Sequence, residues 1–230
     1  MMLKVSNLDV FYNESQAIRD ISFEVAQGET LAIMGRNGMG KSTLLKALIG
    51  LMPLRNGSIF LNEQNLSAAK SFQRVIAGMA YVPQGRMIFP YLTVEENILV
   101  GMETVAIKKV PEWTYQYFPV LQEMKNRKGG NLSGGQQQQL AIARALVSNP
   151  KILLLDEPTE GIQPSIIKEI AQILNQLKKE LNFSLIVTEQ VLSFALEVAD
   201  RLLIIEKGEI VHQETKPNMD LQKIASYLAV

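Results

Sequence analysis

Gly35-Arg36-Asn37-Gly38-Met39-Gly40-Lys41-Ser42-Thr43 is the stretch on which the fold turns. It satisfies the pattern G-x-x-x-x-G-K-[ST] at every fixed position. Before it, Glu29-Thr30-Leu31-Ala32-Ile33-Met34 reads as a buried strand bounded by Gly28. After it, residues 41–49 are apolar at helical spacing and free of Pro and Gly. Strand, glycine-rich turn and helix form the context in which such a loop cradles phosphate. The glycines turn backbone N–H groups toward one anion, and the helix adds its positive end. Lys41 can then reach the outer phosphates, and the Ser42 hydroxyl can ligate magnesium. A glycine turn that merely caps a helix is the bland alternative, and strand, lysine and hydroxyl together outweigh it. The stretch predicts a nucleoside triphosphate site.

Composition sets the outer limits. With 230 residues the chain is long enough for one well-packed domain and short for two. Hydrophobic residues make up 47% and charged residues 20%, as in ordinary α/β proteins. Twenty-three basic residues balance 23 acidic ones, which argues against broad electrostatic binding to nucleic acid. The absence of cysteine excludes disulfides, thiolate metal sites and cysteine nucleophiles. No apolar run approaches the roughly 18 residues that span a bilayer, and the first residues lack the apolar core of a secretory signal. Any role at a membrane is therefore expected to be that of a peripheral subunit held by partners.

A second informative segment is Ile152-Leu153-Leu154-Leu155-Asp156-Glu157, an apolar run closed by two acids. Buried parallel strands read as such runs, and their carboxyl ends line the ligand crevice. Asp156 is placed to hold the magnesium shell, and Glu157 to polarise a water against the γ-phosphate. Another strand, residues 79–82, stops at Pro83-Gln84-Gly85, so Gln84 is a candidate for touching magnesium or the attacking water.

The third segment is Leu132-Ser133-Gly134-Gly135-Gln136, which runs into helix-forming sequence to Val147. Ser133 is a natural cap, and the two glycines allow close approach of an anion. One chain thus carries two exposed glycine-rich helix starts suited to phosphate. Either both face one nucleotide within the chain, or two chains each supply one half.

The remaining chain reads as follows. Residues 2–10 and 18–25 alternate as strands around a polar turn at Asn13-Glu14-Ser15-Gln16, with Tyr12 just before it. Tyr12 is either an ordinary strand-end aromatic or a platform for a purine ring. Residues 58–61 form a strand and 68–77 a helix. Thr93 and Glu96 form a capping box, and 111–124 reads as one helix. Its Trp113, Tyr115, Tyr117 and Phe118 fit either a small core or a docking face. Residues 125–130 read as an exposed loop. A long amphipathic helix covers 164–181, a buried strand 184–188 ends at Glu189-Gln190, and a helix follows at 192–199. A hairpin turns at Lys207-Gly208, with the single histidine, His212, expected at its surface, and a helix covers 219–228.

In this order, residues 35–42, Gln84, 132–136 and the pair Asp156-Glu157 closely resemble the ATP-binding subunits of ABC transporters, along essentially the whole chain. The resemblance implies an α/β P-loop NTPase fold with a mainly parallel core sheet, an N-terminal antiparallel β part and a helical subdomain. Its divisions are a nucleotide-binding core at about 1–84 and 150–230, and a helical subdomain at about 85–149. It implies a Mg2+-dependent ATPase at the cytoplasmic side of a membrane, working with permease subunits and indirectly with a substrate-binding protein. It also implies a dimer, of like or unlike ATPases, in which residues 35–43 of one chain and 132–136 of the other enclose each ATP. In such a family Tyr12 stacks on adenine, which favours the platform reading.

Tyr81-Val82-Pro83-Gln84-Gly85-Arg86 and Leu92-Thr93-Val94-Glu95-Glu96-Asn97 resemble the branched-chain amino acid importer branch. Within it, Leu132-Ser133-Gly134-Gly135-Gln136-Gln137-Gln138-Gln139 and Glu157-Pro158-Thr159-Glu160-Gly161-Ile162-Gln163-Pro164-Ser165 resemble the urea-uptake ATPase, so urea is the expected solute and branched-chain amino acids the alternative. The position of the family's switch histidine is held by Gln190, which donates a hydrogen bond but cannot become cationic. The turn after Thr159 ends in Gln163 where aspartate is common. A reading from another class is a soluble nucleotide-gated assembly module, but the long coiled-coil insertions or second ATPase half usual there are missing from this sequence.

Overall fold

The computed structural model describes residues 2–106 and 109–228. Two sheets organise them. The first is antiparallel, in the order β2-β1-β4-β5, from β1 (Leu3–Tyr12), β2 (Ser15–Val25), β4 (Asn56–Leu61) and β5 (Gln64–Asn65). The second has the order β10-β9-β3-β8-β7-β6, from β3 (Thr30–Met34), β6 (Met79–Val82), β7 (Ile152–Asp156), β8 (Ser184–Glu189), β9 (Arg201–Glu206) and β10 (Glu209–Thr215). All its pairings are parallel except the β9–β10 hairpin.

The helices are α1 (Lys41–Ile49), α2 (Ser71–Ala77), α3 (Val94–Val100), α4 (Glu112–Tyr117), α5 (Pro119–Glu123), α6 (Gly134–Leu146), α7 (Pro164–Leu181), α8 (Leu192–Val198) and α9 (Leu221–Leu228). Strand alternation explains why the central strands are apolar throughout. In β3, Leu31 and Ile33 face a core shared with α1 and the antiparallel sheet, while Ala32 and Met34 face a core shared with α6, α7 and α8. The same division separates Leu154 from Leu153 and Leu155, and Ile186 from Leu185 and Val187. A sheet buried on both faces needs apolar side chains at every position.

Several local expectations are corrected. The first two strands run longer than their alternation predicts, and Ser15 and Gln16 pair with Tyr12 and Phe11, leaving Asn13-Glu14 as the turn. The expected helix over 111–124 is two, broken at Phe118 (φ −123°, ψ 66°). Pro119 disfavours helical backbone at the preceding residue, and the buried Phe118 anchors the break in the core. Trp113, Tyr115 and Tyr117 pack against that same core, which decides for core over docking face. Lys125 to Lys128 are exposed, yet their backbone is tied down by Glu95 N–H to Lys125 O and Val94 N–H to Arg127 O, and Gly129 is buried. His212 is partly buried rather than freely exposed at the surface. Its side chain is 14% exposed, hydrogen-bonded to Glu214 at 2.6 Å and stacked on Tyr227 of α9.

Candidate functional site

The phosphate-loop residues, Gln84, Asp156, Glu157 and Gln190 gather at the carboxyl ends of four adjacent strands. β3 runs into residues 35–43, β6 stops before Gln84, β7 ends at Asp156 before Glu157, and β8 ends before Gln190. This is where open parallel sheets place ligands. A cavity of about 590 Å3 lies there, lined by Tyr12, Asn37, Gly38, Gly40 to Thr43, Gln84 and Glu157, with Ser15, Gln16, Ala17, Arg19 and Lys207.

Gly40 precedes α1 with φ 105°, in the left-handed region, and a Cβ there would sit 2.9 Å from the Ala17 carbonyl oxygen. Only glycine fits that turn. No side chain caps α1, so the amides of its first turn are left for an anion. The Lys41 ammonium donates to Gly35 O (2.8 Å) and Arg36 O (3.2 Å) and pairs with Glu157 Oε1 at 2.9 Å.

Asp156 is 1% exposed. Its Oδ1 accepts from Ser42 Oγ (2.9 Å) and Thr188 Oγ1 (2.7 Å), and its Oδ2 from Tyr81 OH (3.1 Å). Burial, with the Asp156 charge beside it, pushes the Tyr81 phenol well up, so it stays a donor. Ser42 hydroxyl and Asp156 carboxylate oxygens converging at one place are hard donors of the kind magnesium takes, so the residues present fit that ion.

Glu157 follows with φ 46°. Strand alternation alone would turn it to the face opposite Asp156. The left-handed turn instead sends its carboxylate to the same cavity, while its N–H binds Thr188 O (3.1 Å) and Oγ1 (3.2 Å). Around the carboxylate stand Lys41, Gln84 Nε2 on Oε2 (3.3 Å) and Gln190 Nε2 on Oε1 (3.1 Å); Gln190 Nε2 also reaches Asn37 Oδ1 (2.8 Å). Gln84 thus contacts Glu157 rather than Asp156. Tyr12 is 46% exposed at the cavity edge, with its OH 3.3 Å from Thr43 Oγ1.

Residues 133–136 lie elsewhere. They line a separate cavity of about 450 Å3 with Gly161, Ile162 and Gln163, and Leu132 is buried beneath. Ser133 caps α6 through Gln136 N–H, and the Gln136 side chain returns to Ser133 N–H. The Arg86 guanidinium reaches across to Glu160 O at 2.9 Å. Both glycine-rich helix starts therefore do not face one nucleotide within this chain.

Two contributors escaped the sequence reading: Tyr81 and Thr188. Thr188 sits opposite Asp156 in the β7–β8 register, a pairing that local pattern cannot supply.

The family model described as ABC transporter matches residues 18–160. A high-affinity branched-chain amino acid transport ATP-binding protein, BraG of Pseudomonas aeruginosa, is 41% identical over 221 residues, covering 93% of each chain. A probable branched-chain amino acid transport ATP-binding protein, LivF of Archaeoglobus fulgidus, is 34% identical, covering 93% of this chain and 92% of that protein. Among solved structures, a dimeric ATP-binding cassette in a post-hydrolysis state, bound to ADP and Pi, superposes with a TM-score of 0.85 at 26% identity, covering 95% of this chain and 100% of that one.

Proposed function

The chain belongs to the ABC transporter family as an ATP-binding and ATP-hydrolysing subunit that works with Mg2+, and from that membership we propose that it powers import of branched-chain amino acids. The observation that carries the solute is the 41% identity to BraG across 93% of both chains. Neither relative named above is called a urea transporter, so the urea expectation drawn from the 132–139 and 157–165 segments yields to this reading.

The chemistry we assign is hydrolysis of the γ-phosphate by water. Glu157 accepts the water's proton, Gln84 and Gln190 orient the carboxylate and the water, and Lys41 with the loop amides of 35–43 stabilises the phosphate charge. Ser42 and Asp156, with Gln84, would hold the magnesium, which supplies charge neutralisation along the phosphates. Tyr12, half-exposed beside Thr43, is the adenine platform.

The separation of 132–136 from the phosphate loop supports a dimer in which each chain completes the other's site. Whether like or unlike ATPases pair is open to a co-purification test. The division into a nucleotide-binding core (1–84 and 150–230) and a helical subdomain (85–149) accords with α3 to α6 lying between β6 and β7 in the chain. Among the described residues no helix is long and apolar enough to cross a membrane. We place the subunit peripherally at the cytoplasmic face, held by permease subunits, with a substrate-binding protein supplying the solute on the other side. Met87 (69% exposed), Phe89 (44%) and Tyr91 (85%) lie in the segment 86–130 that we assign to the permease contact.

The test is uptake of labelled leucine and of labelled urea in cells carrying the chain or its Glu157→Gln variant. Leucine uptake lost in the variant supports the proposal. Loss of urea uptake alone overturns it.

A further inference from the structure

Three acids are buried among the described residues: Asp156, Glu157 and Glu189. The first two serve the site above, and Glu189 has no part in it. It ends β8 at 1% exposure. Its Oε1 accepts the Thr159 N–H at 3.1 Å, and its Oε2 accepts the N–H groups of Gln190 (2.9 Å) and Val191 (3.1 Å). Burial pushes its carboxyl up, against the hydrogen bonds from Thr159, Val191 and Gln190 that hold it down.

Those three amides belong to two segments that both adjoin Glu157. Thr159 lies two residues beyond Glu157, in the turn that continues to Gln163. Gln190 sends its Nε2 to Glu157 Oε1 and Asn37 Oδ1. Burying a carboxylate is costly unless hydrogen bonds compensate for the lost hydration. Here the Thr159 N–H ties the end of β8 to the turn after β7, and the Gln190 and Val191 amides seat the same carboxylate at its own strand end.

We propose that Glu189 is a positioning residue: its carboxylate clamps the backbone at Gln190 to the turn at Thr159 and thereby aims the Gln190 amide at Glu157. It acts on the reaction only through Gln190. The inference rests on the assignment of Glu157 and Gln190 to the hydrolytic site.

The experiment is a double-mutant cycle in the full-length chain, with Glu189→Gln made in the wild type and in a Gln190→Ala background. ATP turnover, ATP affinity by titration and thermal melting are measured for all four proteins. The carboxamide keeps the size of the side chain but opposes an NH2 to backbone donors. Misplacing a catalytic group by about 1 Å costs up to roughly 100-fold. Glu189→Gln is therefore expected to lower kcat by about 10- to 100-fold, with ATP affinity within about twofold. In the Gln190→Ala background it is expected to add less than about twofold. An equal loss in both backgrounds, or unchanged kcat in the first, overturns the proposal. Should Glu189→Gln fail to fold, Glu189→Asp carries the same cycle with the same two overturning results. A wild type with no ATPase activity would instead undo the site assignment itself.

Discussion

The ammonium of Lys41 lies 2.9 Å from Oε1 of Glu157, with the two side chains 3% and 8% exposed. The cation proposed to meet the phosphates and the carboxylate proposed to meet the water are thus held as one buried pair. Glu157→Gln keeps the shape and removes both the basicity and the negative charge facing the γ-phosphate. Turnover is expected to fall by about 10²- to 10⁴-fold, the range of general-base contributions. ATP affinity is expected to hold or tighten, because Lys41 loses its competing anion. Steady-state hydrolysis together with ATP titration checks both, and wild-type turnover would remove Glu157 from the base role.

Gln190 stands between Glu157 and Asn37 through a single amide nitrogen. Gln190→Ala deletes that bridge without touching Lys41 or the loop amides to which we assign the phosphate charge. The expected result is a split: kcat falls by about tenfold or more, and ATP affinity changes by less than about threefold. Parallel loss of both would make Gln190 a binding group, and no change would make it a bystander.

The sequence disclosed the cavity's walls better than its wiring. Residues 35–43 were legible because glycine, lysine and hydroxyl have fixed jobs at fixed spacing. Asp156 and Gln84 were legible because apolar runs end at them, whereas Gln190 was marked only by the family resemblance. The turn that brings Glu157 back beside Asp156 was not, since φ 46° at a glutamate is imposed by its contacts with Thr188. Tyr81 and Thr188 bind Asp156 across strand register, which no local period encodes. The break at Phe118 did carry a signal, the proline after it, which a periodicity reading of the aromatics overrode.

Arg74 braces the far end of the phosphate-loop helix. Its guanidinium, 2% exposed, donates to the carbonyls of Ala47 (2.7 Å), Leu48 (2.7 Å), Ala69 (3.0 Å) and Ser67 (3.1 Å). Burial lowers its pKa, yet an arginine remains charged in the working pH range. Arg74→Met keeps apolar volume and leaves buried carbonyls without donors, at a cost of about 2–4 kcal/mol. At about 2–4 °C per kcal/mol for a chain of this size, Tm should fall by roughly 5–15 °C. A melt within about 1 °C of wild type would show that the α1 end is held by packing alone.

Asp200 joins β3 and α7 through one carboxylate oxygen, which accepts the Thr30 N–H at 2.8 Å at the start of β3 and the Lys178 ammonium at 2.7 Å on α7. Burial would raise its pKa, but the Lys178 hydrogen bond, the Thr30 amide and the charges of Lys178 and Lys216 outweigh it and hold the carboxyl below its ordinary 3.8. A carboxyl whose folded pKa is depressed binds fewer protons folded than unfolded. Its contribution to stability is therefore present above the ordinary value and is lost as pH falls through the lowered folded value. Asp200→Asn should melt below wild type at neutral pH, and the gap should close as pH falls below 3.8. Raising salt should narrow the neutral-pH gap as well, because the Asp200 side chain is 53% exposed and its pairing with Lys178 is open to screening. A gap that ignores both pH and salt would assign the loss to hydrogen-bond geometry at Thr30 rather than to charge.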